Sequence, residues 1–376
     1  MSATRSAYVH VPFCRHRCGY CNFTLVAGRD DLMGAYLEAV ERELSWLGEP
    51  RPVRTLFLGG GTPTHLPPES LDRLLSIARR WFLLEAGGEL SVEANPVDID
   101  ADRVAVLGRH GVTRISLGAQ SFHPAKLKLL ERDHSAEWIA AAVELCRPVI
   151  GSISLDLIFG TPGETLAEWH DDLRQALALR PNHVSTYGLT FERGTSFWSR
   201  MQRGELGKTD EDVERQMYES AIDSLTGAGF EHYEVSNFAQ PGHRSRHNET
   251  YWTGREFYAA GPGAARFIDG RREVNHRSTT TYLQRVMQGQ SPVAESEKLE
   301  AEDAARERLV FGLRRLEGVD CEAFERETGY RVEALGGAAL KEYQQHGLLE
   351  MREGTLRLTR KGLLVSDALW PAFLRG

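Results

Sequence analysis

Tyr8-Val-His-Val-Pro-Phe-Cys14-Arg-His-Arg-Cys18-Gly-Tyr-Cys21-Asn-Phe23 is the stretch around which the sequence is organised. It contains three of the five cysteines in a chain of 376 residues, between a short strand-like run and a helical pattern. Three thiolates this close can bind one metal centre. Three is also one fewer than a closed tetrahedral site or a fully cysteine-ligated cubane cluster requires. The missing fourth ligand is therefore the main clue to function.

The composition is that of an ordinary globular protein, with 41% hydrophobic and 26% charged residues. Its length predicts one domain of about 200–250 residues and a smaller one. No apolar run reaches the roughly 18–20 residues of a membrane helix, and the N-terminus does not resemble a signal peptide. The net charge of −8 argues against a nucleic-acid partner. Clustered cysteines suit a metal site in a reducing compartment, so we expect a cytoplasmic protein.

Strand and helix patterns alternate over about 230 residues. Repeated βα units with short connections predict a parallel sheet, and this many in series predict a full or partial barrel. The predicted strands are residues 7–11, 55–58, 89–93, 114–117, 152–158 and 183–189, with 230–235 as a possible seventh. The predicted helices are residues 32–47, 71–78, 102–110, 136–146, 166–179 and 210–229.

Unusual polar and glycine-rich residues recur where the predicted strands end. Chemistry in parallel barrels gathers at this end of the strands, so several such residues together indicate a site rather than isolated buried polar pairs. They are the cysteines after strand one, Gly59–Thr62 after strand two, Glu93 and Asn95 after strand three, and Gln120 after strand four, while Asp156 lies within strand five.

Three regions are expected along the chain. Residues 1–235 would form the barrel-like core, and residues 236–295, with little periodicity, an extended segment that packs on it. Residues 296–376 combine helices with a hairpin that turns at Glu353-Gly354, which resembles a winged-helix module. DNA binding and a packing or partner role are both open for this module, and the acidic balance favours the second.

Two metal centres are compatible with the cysteine spacing. A structural zinc site would need His10 or His16 as its fourth ligand. A [4Fe–4S] cluster would take one thiolate on each of three irons and leave the fourth iron open to an exogenous ligand. Cys14-x3-Cys18-x2-Cys21, with Tyr20 directly before the last cysteine, resembles the radical S-adenosylmethionine (SAM) enzymes, in which SAM chelates that open iron.

This resemblance implies a partial (β/α)6 barrel, and it assigns roles to the strand-end residues. Gly59-Gly60-Gly61-Thr62-Pro63 lies where the family contacts the methionine amino group of SAM, and glycines let a backbone approach a ligand closely. By local motif, Glu93, Gln120, Arg132 and Asp156 match SAM-binding positions of one subfamily. The implied cofactor-binding set is Tyr8, Gly60, Gly61, Thr62, Glu93, Gln120, Arg132 and Asp156, with Cys14, Cys18 and Cys21 as the metal ligands.

That subfamily resembles oxygen-independent coproporphyrinogen III dehydrogenase, and the match runs from Tyr8 to about residue 330. It also includes heme chaperones of the HemW type, which bind heme and pass it to an acceptor. Three features favour the chaperone. Phe23 stands where the dehydrogenases carry another cysteine, the core begins almost at once, and His247-Asn-Glu-Thr-Tyr-Trp252 is similar to a segment of the chaperone group.

The residue types of the 247–252 segment are also chemically suited to bind heme. An imidazole can supply an axial nitrogen to heme iron, and neighbouring aromatics can shield the macrocycle. His247 is therefore a candidate heme ligand and His243 its competitor, whereas the structural alternative is a hydrogen-bonded loop histidine. The expected cofactors are a [4Fe–4S] cluster, SAM and heme. The expected partners are a heme-acceptor protein, such as a respiratory enzyme, and an electron donor such as flavodoxin or ferredoxin. The dehydrogenase reaction is the alternative function.

Overall fold

The computed structural model describes residues 5–374, and the strand before the cysteines belongs to its largest sheet. The strands are β1 (Ser6–Val11), β2 (Phe13–Cys14), β3 (Val26–Ala27), β4 (Arg51–Gly60), β5 (Phe82–Ala94), β6 (Arg114–Gln120), β7 (Ser152–Phe159), β8 (His183–Gly188), β9 (Glu231–Glu234), β10 (Asn237–Ala239), β11 (Tyr258–Ala260), β12 (Ala265–Ile268), β13 (Arg271–Asn275), β14 (Val293–Lys298), β15 (Val319–Asp320), β16 (Leu349–Arg352) and β17 (Thr355–Leu358).

Helices follow most strands of the first half and dominate the C-terminal region. They are α1 (Met33–Ser45), α2 (Pro68–Trp81), α3 (Ala101–Arg109), α4 (Pro124–Leu129), α5 (Ala136–Cys146), α6 (Leu166–Ala178), α7 (Ser196–Gln202), α8 (Glu211–Gly227), α9 (Arg246–Trp252), α10 (Thr279–Met287), α11 (Ala301–Arg314), α12 (Cys321–Thr328), α13 (Val332–Gln345), α14 (Arg360–Leu363) and α15 (Ser366–Leu369). Short 3-10 helices cover Asp30–Leu32, Pro63–His65, Pro96–Asp98 and Trp370–Ala372.

The nine-stranded sheet confirms the predicted α/β fold with a mostly parallel centre. Its order is β11-β1-β4-β5-β6-β7-β8-β10-β9, and the six predicted strands are neighbours in chain order. All pairs from β11 to β8 are parallel. Strands β11 and β9 form the two edges, so the sheet is an open, partial barrel.

Side chains alternate across this sheet and give it one apolar and one polar face. In β1 the buried residues Ala7, Val9 and Val11 join the main hydrophobic core, together with residues of the surrounding helices. The intervening residues of β1 and the other parallel strands point the other way and are largely polar. That inner face carries Tyr8, His10, Thr55, Glu89, Ser91, Glu93, Arg114, Ser116, Ser154, Asp156 and His183.

The prediction differs from the structure at the end of the barrel series. The possible seventh strand exists as β9, but it does not extend the parallel series, because β9 pairs antiparallel with β10, and β10 pairs antiparallel with β8. Residues 236–275 are also more regular than an extended segment. They contain β10, α9 and β11 to β13, all of three to seven residues, which are too short to produce a visible periodicity. Helices α4 and α7 were not predicted.

The C-terminal region contains the predicted hairpin. Strands β16 and β17 pair antiparallel with Arg352 opposite Thr355. The two residues between them, Glu353 and Gly354, have φ angles of 51° and 78°, the left-handed pair that a tight two-residue hairpin turn requires. Strand β15 adds a third strand next to β17, and α11 to α13 accompany this small sheet.

A buried carboxylate, Glu43 of α1, ties the segment after β10 to the barrel. It accepts hydrogen bonds from the Gly261 backbone N–H at 2.8 Å, the Asn275 side-chain amide at 2.7 Å and the Tyr282 hydroxyl at 2.7 Å. Burial raises the pKa of Glu43, and these donors together with Arg266 oppose that rise. The 261–264 turn that Glu43 holds lies against Thr24, which follows the cysteines.

Removing one hydrogen-bond donor of Glu43 tests its role in holding the segment after β10. Tyr282→Phe should lower the free energy of unfolding by about 1–3 kcal/mol, because it leaves a buried carboxylate oxygen without its hydroxyl partner. Urea unfolding followed by circular dichroism measures the change. Tyr330→Phe is the matched control, since the Tyr330 hydroxyl makes no recorded side-chain hydrogen bond within residues 5–374. Equal effects of the two changes would contradict the role given to Glu43.

Candidate functional site

The cysteine loop is fixed over the carboxyl end of β1 and β4 by backbone hydrogen bonds. Strand β2 pairs with β3, so the chain from Cys14 to Ala27 forms a loop that returns to its start. Gly61 donates to the Val11 carbonyl at 2.8 Å, and Thr62 donates to the Phe13 carbonyl at 2.7 Å. The glycine turn after β4 is thereby held beside the first cysteine, where the Thr62 hydroxyl lies 3.4 Å from Cys14 Sγ.

Glycine is required at two positions of this turn. Gly60 has a φ of 104°, and a Cβ built there would lie 2.2 Å from the His10 ring. A Cβ on Gly61 would lie 2.6 Å from the Val11 carbonyl oxygen. Real side chains do not tolerate such approaches, so the triple glycine reflects close packing of backbone against the cysteine loop.

The three cysteines are free thiols that interact electrostatically with one another. Burial raises the pKa of Cys14 to about 12, with Thr62 opposing the rise and the neighbouring Cys21 and Cys18 adding to it. Burial also raises the pKa of Cys21. Thiols with raised pKa values stay protonated unless a cationic centre binds them as thiolates. A cluster that places a different iron at each thiolate suits this donor set.

Both histidines considered as a fourth zinc ligand are hydrogen-bonded to backbone carbonyls. His10 Nε2 donates to the Thr24 carbonyl at 2.6 Å, and His10 Nδ1 accepts from the Tyr8 hydroxyl at 2.9 Å. Burial lowers the pKa of His10 to about 4, which keeps the ring neutral. His16 Nε2 bonds the Glu131 carbonyl and lies 3.6 Å from Cys18 Sγ. Among residues 5–374, no three His, Cys, Asp or Glu side chains form a group suited to hold a single ion.

Arg132 stands between the cysteine loop and the end of β6. Its guanidinium lies 3.6 Å from Cys18 Sγ, donates to the Gly118 carbonyl at 3.0 Å and bonds the Asn95 side chain. Its Nε is buried and has no hydrogen-bond partner among residues 5–374. An orphaned buried donor beside the cysteines fits an anionic ligand group there, and arginine is well suited to a carboxylate.

Glu93 and Asp156 bring two carboxylates to the inner face of the sheet. Glu93 accepts from the Gly60 backbone N–H at 2.7 Å, and Asp156 accepts from the Ser116 hydroxyl at 3.0 Å. Burial raises the pKa of Glu93 to about 7, and repulsion from Asp156 contributes. Burial also raises the pKa of Asp156. Both are suited to bind a cation, because a nearby positive charge would stabilise their ionised forms.

Gln120 ends β6 in a conformation that glutamine seldom adopts. Its φ of 62° lies in the left-handed region, and such strain often accompanies functional sites. The chain beyond it is held by Asp172, which accepts from the Ser121 hydroxyl at 2.8 Å and the Phe122 N–H at 2.6 Å. Lys126 bridges Asp172 and Glu164 in a buried ion cluster. No sequence signal marked Lys126.

His247 lies at a distance from the cysteines, on the inner face below Tyr8. Its side chain is buried, with Nδ1 2.9 Å from the Thr55 hydroxyl and Nε2 2.8 Å from the Tyr251 hydroxyl. The ring stacks on Phe57 at 5.0 Å between centroids. Burial lowers its pKa to about 3, so the imidazole is neutral. Both ring nitrogens are thus hydrogen-bonded, and His247 as a heme ligand stays a prediction.

The structure therefore gathers most predicted residues at one end of the barrel. The cysteines, Gly60, Gly61, Thr62 and Arg132 are linked by direct contacts. Glu93 joins them through Gly60, and Tyr8 joins them through His10. Asp156 lies further along the inner face, and His247 beyond Tyr8 and Phe57. The backbone carbonyl of His243 accepts a hydrogen bond from Arg114 at 3.0 Å.

Comparisons with known proteins agree with this geometry. The family model of the radical SAM superfamily matches residues 8–176, and that of the HemN C-terminal domain matches residues 299–365. The heme chaperone HemW of Bacillus subtilis is 34% identical over 98% of this chain and 99% of its own length. The chain belongs to the HemW family of radical SAM proteins. The heme chaperone HemW of Lactococcus lactis is 36% identical over 98% of this chain and 97% of its own length.

Membership of the HemW family is matched by the architecture. Coproporphyrinogen III oxidase (HemN) from Escherichia coli, a radical SAM enzyme, superposes with a TM-score of 0.86 at 24% identity, covering 98% of this chain and 90% of that one. At this identity the likeness shows the shared fold. The superfamily implies a [4Fe–4S] cluster and SAM, and the donor set at the strand ends fits both. No helix within residues 5–374 is long and apolar enough to cross a membrane.

Replacing Cys14, Cys18 and Cys21 together with Ala should abolish the cluster, because no other thiols lie at this site. Anaerobic reconstitution followed by iron and sulfide analysis and visible absorption measures it. Cys146→Ala with Cys321→Ala is the matched control and should leave the cluster content unchanged. A full cluster in the triple variant would show that the ligands lie elsewhere.

SAM affinity should depend on pH through Glu93. Below pH 7 Glu93 is protonated, so binding the sulfonium cation requires ionisation, and affinity should fall by up to about tenfold per pH unit. Affinity should therefore rise as the pH increases through 7. Calorimetric titration of the reconstituted protein measures it between pH 6 and 8.

Glu93→Gln should weaken binding at pH 8 by about 10- to 100-fold, because it removes a charged partner, and it should flatten the pH profile. Glu85→Gln, which changes a carboxylate paired with Arg5 outside the site, should keep the wild-type profile. An unchanged slope in Glu93→Gln would assign the pH dependence to SAM itself.

Proposed function

We propose that this chain is a heme chaperone that carries a [4Fe–4S] cluster with exchangeable SAM and delivers heme to an acceptor protein. One observation carries the proposal. Proteins named as heme chaperones align with it over almost the whole of both chains, including the C-terminal region. The likeness to HemN concerns the fold and does not favour the dehydrogenase reaction.

Cys14, Cys18 and Cys21 would hold three irons of the cluster, and SAM would occupy the open iron. A cluster held by these cysteines would, when reduced, supply an electron to the SAM sulfonium. Arg132 would pair with the carboxylate of SAM, since its guanidinium has an unused Nε beside Cys18. Glu93 would face the cationic part of the ligand from its place below Gly60.

Tyr8 and His10 would shape the floor below the glycine turn. His10 must donate through Nε2 because its partner there is a carbonyl, so its Nδ1 accepts a hydrogen bond from the Tyr8 hydroxyl. A neutral His10 and an un-ionised Tyr8 add no charge beneath the SAM site, and burial raises the pKa of Tyr8 further. The charge that balances the sulfonium is then left to Glu93 and Asp156.

Heme ligation requires a rearrangement of the side chains around His247. His247 is neutral, as an iron ligand must be, but its Nε2 is bonded to Tyr251. Ligation by His247 therefore requires this hydrogen bond to open and the ring to leave Phe57. We propose that Tyr251 holds His247 in its ligand-free position, and that heme binding displaces it.

The partners follow from this function. The chain would take an electron from a carrier such as flavodoxin or ferredoxin and pass heme to a respiratory or other heme enzyme in the cytoplasm. The C-terminal module would serve packing or partner contacts. Its hairpin tip carries an acidic residue, Glu353, which is unsuited to a phosphate backbone.

The heme proposal is tested by comparing two variants of the same hydrogen bond. If His247 is the ligand, His247→Ala should weaken or shift the Soret band and lower heme affinity by about tenfold or more. Tyr251→Phe should preserve or strengthen heme binding, because it frees Nε2 without removing it. Heme titration followed by absorption spectroscopy measures both, with and without the cluster and SAM.

His243→Ala is the control for the neighbouring histidine and should bind heme like the wild type. A Soret band lost in His243→Ala but kept in His247→Ala would reassign the ligand. Stoichiometric conversion of coproporphyrinogen III, accompanied by 5′-deoxyadenosine, would overturn the chaperone function in favour of the dehydrogenase.

A further inference from the structure

The loop that follows the last cysteine is held by an unusual set of cationic and imidazole donors. Each backbone carbonyl from residue 21 to 25 accepts a hydrogen bond from a side chain. Arg17 donates to the carbonyls of Cys21, Phe23 and Leu25 at 3.4, 3.4 and 2.8 Å, Arg277 donates to that of Asn22 at 3.1 Å, and His10 donates to that of Thr24 at 2.6 Å. Arg277 also bonds the Thr24 hydroxyl at 3.2 Å.

This rigid loop presents Phe23 to solvent. Phe23 is 59% exposed, more than any other large hydrophobic side chain of the described residues. The side chain lies two residues after Cys21, so it marks the part of the surface that is next to the cluster ligands in sequence. An exposed aromatic on a fixed backbone is a feature that protein interfaces use, because it loses little entropy on binding.

The two arginines beside Phe23 are not neutralised by the chain. Both are exposed, and their hydrogen-bond partners within residues 5–374 are carbonyl and hydroxyl oxygens, with no carboxylate among them. On a chain of net charge −8, two unpaired guanidinium groups form a local positive region. Such a region attracts an acidic partner and accelerates its association.

We propose that Phe23, Arg17 and Arg277 form the docking surface for an acidic one-electron carrier protein that reduces the cluster. Phe23 would be the apolar contact, and the two arginines would steer and orient the carrier. A heme occupant fits less well, because a porphyrin site encloses most of its ligand whereas Phe23 stands out from the surface. This inference rests on the [4Fe–4S] cluster of the proposed function.

The reaction at this surface is a single electron transfer. The fully reduced flavin of flavodoxin, used as the probe, loses one electron, and the oxidised cluster gains it. No bond is formed or broken, and no proton has to move. The carrier must approach the cluster closely for this transfer, which is why its contact surface is expected beside the cysteine loop.

The experiment compares two reductants on the reconstituted full chain in anaerobic stopped flow. Phe23→Ser and Arg277→Gln should each slow reduction by flavodoxin by about tenfold or more, because they remove an interface contact or a steering charge. Reduction by dithionite, which needs no protein interface, should stay at the wild-type rate. The wild-type rate with flavodoxin should fall as salt rises from about 0.05 to 0.5 M, and less steeply in Arg277→Gln.

Matched controls lie elsewhere on the surface. Trp138→Ser changes an aromatic that is 53% exposed on α5, and Arg79→Gln changes an exposed arginine that also donates to a backbone carbonyl. Both should behave as the wild type with either reductant. Cluster content is measured first, so a missing cluster would overturn the proposed function itself.

Three results would overturn the docking surface alone. Unchanged flavodoxin rates in Phe23→Ser and Arg277→Gln would place the carrier elsewhere. Equal slowing with dithionite would mean that the loop positions the cluster and does not bind a partner. Weaker heme binding in Phe23→Ser with an unchanged flavodoxin rate would make this residue a heme contact.

Discussion

The hydrogen bonds from Gly61 and Thr62 to the carbonyls of Val11 and Phe13 are the constraint on which the site depends. They connect the end of one parallel strand to the first residues of the cysteine loop. Everything that surrounds the cysteines is placed relative to this contact, including Thr62 beside Cys14 and Asn95 beside Thr62. Because no Cβ fits on Gly60 or Gly61, the contact depends on glycine.

Burial on the inner face of the sheet and in the cysteine loop disfavours the charged forms of several acidic groups. Buried Glu93 and Asp156 have raised pKa values, and the thiols of Cys14 and Cys21 are similarly disfavoured as anions. All four shifts have burial as their main cause, and all would be reversed by cationic ligands. The polar interior is therefore arranged for the charges of bound groups and not for the stability of the unliganded chain.

Much of the architecture could be predicted from the sequence because short strand-like runs, with apolar residues at alternate positions, are separated by periodic helices. The six strands and their order followed from that pattern, and the hairpin at Glu353-Gly354 followed from its turn residues. The short elements between residues 236 and 275 could not, because three to seven residues show no period. Antiparallel β10 escaped prediction for the same reason, and with it the position of β9.

The candidate site was predictable where chemistry is encoded in spacing, and less so where it depends on tertiary contacts. The cysteine spacing and the glycine turn are local signals. Whether His247 faces solvent or Tyr251 is decided by residues distant in sequence, such as Thr55. The same holds for Arg17 and Arg277, which come together on a loop although 260 positions separate them.

The 247–252 segment depends on the carboxylate of Glu89, which lies far from it in sequence. This carboxylate accepts the backbone N–H groups of Arg246 and His247 at 3.1 and 3.0 Å, at the start of α9. The segment is thus completed by a residue of β5, more than 150 positions earlier. If the six residues were grafted alone onto another barrel, the backbone N–H groups at the start of the helix would lack the carboxylate that accepts their hydrogen bonds. The 247–252 segment should therefore be recognised, or grafted, together with the carboxylate of Glu89.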